Sequence, residues 1–197
     1  MAVQNPSQIT FADARLMDDK LAAIGTVLTT NLTWLTTAYG KAQRLVKHRD
    51  GNVLERYPAV PATGNLDQNY LPMFPDASLG NYCFWDMPDP QKIEDWHTQG
   101  QLEIKTEFGL VLWFDLRTIY TGANWKTRTA ENVKYEVLEA LRLNPATTSN
   151  IIIKLVSDRV ENIYPDYDHK EIKTQFLMRP YGGFRLEGEL EFYEDCN

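Results

Sequence analysis

Near its end the chain alternates apolar Phe184, Leu186, Leu190 and Phe192 with charged Arg185, Glu187, Glu189 and Glu191. That is the period of a strand with one face in a core and the other in water. Preceded by Gln175–Arg179 and by Pro180-Tyr-Gly-Gly183, the stretch predicts a carboxy-terminal hairpin. Phe11, Ala14, Met17, Leu21, Ile24 and Leu28 recur every three or four positions, which predicts an amphipathic helix from Thr10 to Leu28. The Thr-rich continuation from Val27 to Thr37 has poorer helix propensity, so the element there frays or turns extended.

Arg44–His48 and Asn52–Tyr57 flank Arg49-Asp50-Gly51, and Asp-Gly between strand-like runs predicts a β-hairpin. From Pro58 to Gly80 prolines and glycines interrupt the apolar pattern, predicting a wrapping loop that carries packing or contact side chains. Tyr82–Trp85 reads as a short strand. Leu102–Phe108 alternates, and Gly109–Leu116 is nearly all apolar, as expected of a central strand covered on both faces. Ala130, Val133, Val137, Ala140 and Leu141 mark a second helix, capped by Thr127 or Thr129 and ended by Asn144-Pro145. Ile151–Val156 is a further strand, with Asp158–Ile163 extended or briefly helical. This order predicts one α+β domain over residues 1–197, its mostly antiparallel sheet carrying two main helices on one face.

A chain of 197 residues with 43% hydrophobic content can bury one sizeable core. Its net charge of −7 argues against any role that grips a phosphate backbone, though an acidic wall lets DNA slide past. The first residues lack a secretory pattern, and no run approaches the roughly 18 apolar residues of a membrane span, so no membrane partner is expected. Cys83 and Cys196 form no C-x-x-C pair; Cys83 reads as core and Cys196 as a thiol of the tail.

Glu103-Ile-Lys105, fourteen residues after Asp89, fits the loose PD-(D/E)-x-K nuclease pattern, in which carboxylates hold a divalent ion and the lysine orients water. The bland alternative is that Glu103, Lys105 and Glu107 form the polar half of an alternating strand. Asp166, Asp168, His169 and Glu171 supply ligands for a hard cation without the spacing of a calcium loop, and read as a solvated acidic loop. His48, beside a turn, and His97, after Trp96, have no ligand at metal-binding spacing. Asp115, in an apolar strand, calls for a cationic partner, with Arg117, Arg179 or Arg185 as candidates. No nucleophile elbow, phosphate-binding loop or zinc-protease motif is present, and no catalytic activity and no cofactor are expected.

Gly80–Asp86 with Pro88-Asp-Pro90, Leu110–Arg117, Glu161–Pro165 and Gln175–Arg185 resemble blocks in small proteins from the structural gene clusters of tailed phages. The element order is similar to tail-terminator and head-to-tail connector subunits. The resemblance implies a ring-forming homo-oligomer in the virion, assembled in the host cytoplasm, docking to neighbouring tail or portal proteins while DNA passes through its lumen without specific binding. Tyr70, Phe74, Tyr181, Phe184 and Arg185 are the expected interface side chains. A metal-dependent nuclease using Asp89, Glu103 and Lys105 is the enzymatic alternative, and a host-side adaptor the third.

Overall fold

Two fifteen-residue strands form the centre of the protein, and their complete pairing explains both sequence patterns that define them. In a computed structural model that describes residues 17–49, 53–61, 70–87, 92–95, 101–145, 150–168, 172 and 177–195, the elements run as follows. Helix α1 is Met17–Asn31; strands β1 (Thr37–Lys41), β2 (Gln43–Arg49), β3 (Val53–Pro61), β4 (Tyr70–Pro72), β5 (Tyr82–Asp86), β6 (Lys92–Asp95) and β7 (Gln101–Asp115) follow. Then come α2 (Leu116–Ile119), α3 (Ala130–Arg142), β8 (Ile151–Ser157), α4 (Val160–Ile163) and β9 (Tyr181–Asp195).

Strand β7 pairs antiparallel with β9 from Gln101↔Asp195 to Asp115↔Tyr181. The main sheet has the order β1-β5-β7-β9-β8, with β6 also on β7; β2-β3-β4 form a second, three-stranded sheet. Among the described residues only β1–β5 is parallel. The fold is thus α+β with mainly antiparallel pairing, as the pattern predicts.

Alternate side chains of the central strands enter two different cores. Cys83, Trp85, Leu110, Leu112, Phe114, Phe184 and Leu186 share one cluster with Leu21, Ile24 and Leu28 of α1 and Val133, Val137 and Leu141 of α3. Tyr82, Phe84, Val111 and Trp113 join Val60, Met73, Ile163, Tyr164 and Tyr167 in the other. A strand buried on both faces is why Gly109–Leu116 reads as a continuous apolar run.

Helix α1 continues to Asn31, past the expected end at Leu28, and Thr10–Leu16 of the predicted helix lies outside the described residues. Burial of Leu28 and Leu32 keeps the Thr-rich turn helical, and the Thr29 hydroxyl is satisfied by donating to the Gly25 carbonyl at 3.0 Å. Thr129 is the N-cap of α3, its amide donating to Asn132 Oδ1 at 3.0 Å, and the helix stops before Asn144-Pro145.

Strands β2 and β3 pair as the predicted hairpin, from Gln43↔Ala59 to Arg49↔Val53. Two expectations need correction. The Pro-rich segment is not a plain loop: Pro58–Pro61 belongs to β3 and pairs with β4 through Ala59↔Pro72 to Pro61↔Tyr70. Nor do Tyr181-Gly-Gly183 form a hairpin turn; they lie inside β9, opposite Asp115, Phe114 and Trp113 of β7, which satisfies their backbone groups across the sheet.

Candidate functional site

Between the two sheets lies a polar junction assembled from five separate segments. Asp86 ends β5 and faces Gly109 of β7, which faces Glu187 of β9, so one row across the sheet carries a carboxylate, no side chain, and a second carboxylate. Arg185, two residues before Glu187, lays its guanidinium over the gap at Gly109: a β-carbon there would sit 2.0 Å from Arg185 Cζ. From that position Arg185 donates through Nη1 to Asp86 Oδ2 at 2.7 Å and through Nε to Glu187 Oε1 at 2.7 Å. Arg185 is 2% exposed and Asp86 1%, so a removed partner would leave a buried charge without compensation.

The other oxygen of Asp86 accepts from Tyr167 Oη at 2.9 Å and from Arg44 Nη2 at 3.4 Å. Burial first, and the Asp86 carboxylate next, push the Tyr167 hydroxyl pKa upward, so it stays a donor. Asp166 pairs with Arg44 at 3.2 Å, and Asp168 accepts from the Arg56 amide at 2.8 Å while its own amide donates to the Arg56 carbonyl at 3.0 Å. Segment 166–168 therefore clasps the small sheet to the large one. Asp166 and Asp168, read from sequence as candidate cation ligands, serve this junction; His169 and Glu171 lie outside the described residues.

Lys105 sits 3.3 Å from both Glu103 and Glu191, and these carboxylates raise its pKa, Glu103 foremost. The ammonium thus occupies the space between two carboxylates, and Asp89 lies outside the described residues. Among the described residues no group of three or more His, Cys, Asp or Glu side chains is arranged to hold a metal ion. His48 is exposed on β2, and His97 and Cys196 lie outside the described residues. Cys83 is buried and free, its thiol pushed up to about 12 by burial. Asp115 finds its partner in Arg117, with Oδ2 2.6 Å from Nη2, and also accepts from the Arg117 amide at the start of α2.

Of the five expected interface side chains, three are core. Phe184 is 0% exposed against Phe114, Arg185 is held in the junction, and Phe74 packs edge-on to Tyr164. Alternation from Phe184 onward identified a strand; it did not show that helices α1 and α3 bury Phe184 or that Arg185, on the other face, is enclosed in the junction. Tyr181 is half-buried, stacked on Trp113, with its hydroxyl accepting from Arg117 at 2.9 Å. Tyr70, 37% exposed at the start of β4, is the most exposed of the five.

The surface most suited to contact was not among those candidates. Among the described residues strand β8 ends the main sheet, paired only with β9. Its register slips between Ile153 and Leu155, so Ile152 faces Glu189 and Leu155 faces Glu187 although the β8 pair is three residues apart. Cross-strand partners share a face, so the bulge at Lys154 brings Ile152 and Leu155 to one side of the sheet. They are 44% and 59% exposed, beside Glu187, Glu189 and the Glu107 that faces Glu189 in the ladder. A cavity of about 250 Å³ opens there, lined by Glu107, Lys154, Leu155, Glu187 and Glu189 among others. The signal in the sequence was Ile151–Val156, an apolar run interrupted by one lysine and more apolar than the partly buried strand it forms requires.

No helix among the described residues is long and apolar enough to cross a membrane. No protein-family model matches the chain, and comparison with curated proteins gives no match.

Proposed function

We propose that this chain is a self-assembling structural subunit, a ring-forming component of a phage neck or tail of the terminator or head-to-tail connector kind, docking to the adjacent tail or portal ring. The observation that carries the reading is the terminal strand β8, with Ile152, Leu155 and Val156 at 44%, 59% and 42% exposure on a sheet edge. Three apolar side chains on an edge strand are a liability in a protein that works alone, and an asset in one that works against a neighbour. The buried junction serves the same end: Asp86, Arg185, Tyr167 and Arg44 lock the two sheets together, giving a rigid body whose surfaces keep fixed relative positions. A net charge of −7 suits a lumen through which DNA slides without being held. The phage assignment rests on the resemblance of the sequence blocks and on the element order.

Negative-stain electron microscopy of the purified chain tests this reading. Closed annular particles of uniform diameter are expected, and a field of featureless monomers at high concentration overturns it.

A further inference from the structure

We propose that the loop between α2 and α3, together with Arg179, is a contact site for the phosphate backbone of a nucleic acid, touched without sequence preference. The assembly reading lets DNA pass unheld and needs no cation, so this site goes beyond that reading and stands or falls apart from it.

The net charge of −7 is an average, and the stretch from Leu116 to Ala130 departs from it, carrying Arg117, Lys126 and Arg128 and no Asp or Glu. Its middle is the short 3-10 helix Asn124–Thr127, and Arg179, two residues before β9, is bound to that helix. Arg179 Nη2 donates to the Trp125 carbonyl at 2.9 Å and to the Lys126 carbonyl, while its guanidinium lies 5.7 Å from the centre of the Trp125 ring. Arg128 lies over Tyr120 at 5.4 Å. Two carboxylates reach this end of the sheet and both are engaged: Asp115 holds Arg117, and Glu136 accepts from Trp34 Nε1 and from Tyr120 Oη. Lys126, Arg128 and Arg179 are exposed and make no ion pair among the described residues. Three cations from two distant parts of the chain thus meet on one small surface with their charge uncompensated.

The chemistry of that surface selects the partner. Guanidinium groups laid against rings are ordered before binding, and their fork of N–H donors matches phosphate oxygens. Trp125 and Tyr120 pack on the core cluster shared with α1 and α3, so the exposed side chains of the loop are small, polar or basic. A protein-binding patch has apolar anchors at its centre and is poor in lysine, whereas nucleic-acid interfaces are polar and strongly positive. Each ring packs on the core and carries a guanidinium, so neither is available to stack a base, and contact is limited to the backbone. Three such contacts make a weak, salt-sensitive touch, which suits a chain whose charge repels phosphate everywhere else.

The test is fluorescence anisotropy of a labelled DNA duplex of about 20 base pairs, titrated with the full-length chain from about 20 to 200 mM salt. Three phosphate contacts give a slope of log K against log salt of about −2.7. In Lys126→Gln/Arg128→Gln, which changes two exposed side chains and no buried one, the slope should shrink to about −0.9 and binding at the lowest salt should weaken at least about tenfold. Arg142→Gln/Lys154→Gln removes the same two charges elsewhere on the surface and should stay within about threefold of the wild type. Should the loop variant melt early by circular dichroism, Lys126→Gln alone decides, expected to take about 0.9 off the slope. A wild type that does not bind the duplex, a folded loop variant that binds as the wild type does, or equal losses in both double variants each overturn the inference, and none of them touches self-assembly. Polyglutamate bound as tightly as the duplex would assign the patch to acidic proteins, and a single strand bound more than about tenfold tighter than the duplex would mean base stacking; either result overturns the backbone assignment.

Discussion

Gly109→Ala is expected to unlock the junction between the two sheets. The added methyl would lie 2.0 Å from Arg185 Cζ, whereas carbon atoms in contact sit about 3.5–4.0 Å apart, so the guanidinium must retreat by roughly 1.5 Å. It is held at 2.7 Å by both Asp86 and Glu187, and a retreat of that size breaks the Asp86 bond. Removing one partner of a buried ion pair costs about 3–5 kcal/mol; because Tyr167 and Arg44 still serve Asp86, we expect roughly 2–3 kcal/mol here. In an Asp86→Asn/Arg185→Met background the ion pairs of Arg185 with Asp86 and Glu187 are gone and the flexible thioether can step aside, so the same alanine should cost less than about 1 kcal/mol. Urea unfolding followed by tryptophan fluorescence, at concentrations below assembly, gives the four stabilities of the cycle. Equal losses in both backgrounds, within about 0.5 kcal/mol, would refute the argument, since the methyl would then be felt by something other than the guanidinium.

Gly188→Ala should loosen β8 selectively, because its β-carbon would meet the Ile152 carbonyl oxygen at 1.9 Å; hydrogen exchange should quicken in β8 and stay unchanged in β5, and uniform change would contradict this. Cys83, whose folded-state thiol is raised to about 12 by burial, keeps its proton while the unfolded chain releases one above about pH 9. Stability should therefore fall as pH rises from about 9 through 12, and Cys83→Ala should remove one proton's worth of that slope in urea titrations. Asp158, lowered by its bond to Lys134, contributes stability above the ordinary carboxylate range that is lost as pH falls below about 4. Its carboxylate is 57% exposed, so Asp158→Asn should flatten the acid limb by less than about 1 kcal/mol.

What was legible in the sequence follows from period and local chemistry. Gly109–Leu116 announced a strand covered on both faces, and β7 is one, flanked by β5 and β9 and buried between two clusters. Asp50-Gly51 announced the β2–β3 hairpin because its turn chemistry is local. The Asp86–Arg185 pair spans 99 residues, and nothing at either end names the other. Asp86 stood in the apolar run Tyr82–Asp86 just as Asp115 stood in its own, and Gly109 interrupted a strand without a turn beside it, the two local signs of a side chain passing overhead. Gly182 and Gly183 misled in the opposite direction, since a glycine pair after proline spells a turn unless a long partner strand lies alongside. The contact face was hidden because it depends on a bulge, and a one-residue slip changes which side chains share a face.

Sedimentation velocity of the wild-type chain over a wide range of concentrations bears most directly on the claim that this protein works by binding its own copies. A faster boundary of one fixed size is expected to grow at the expense of the 22.7 kDa monomer. A folded monomer at every concentration would contradict it.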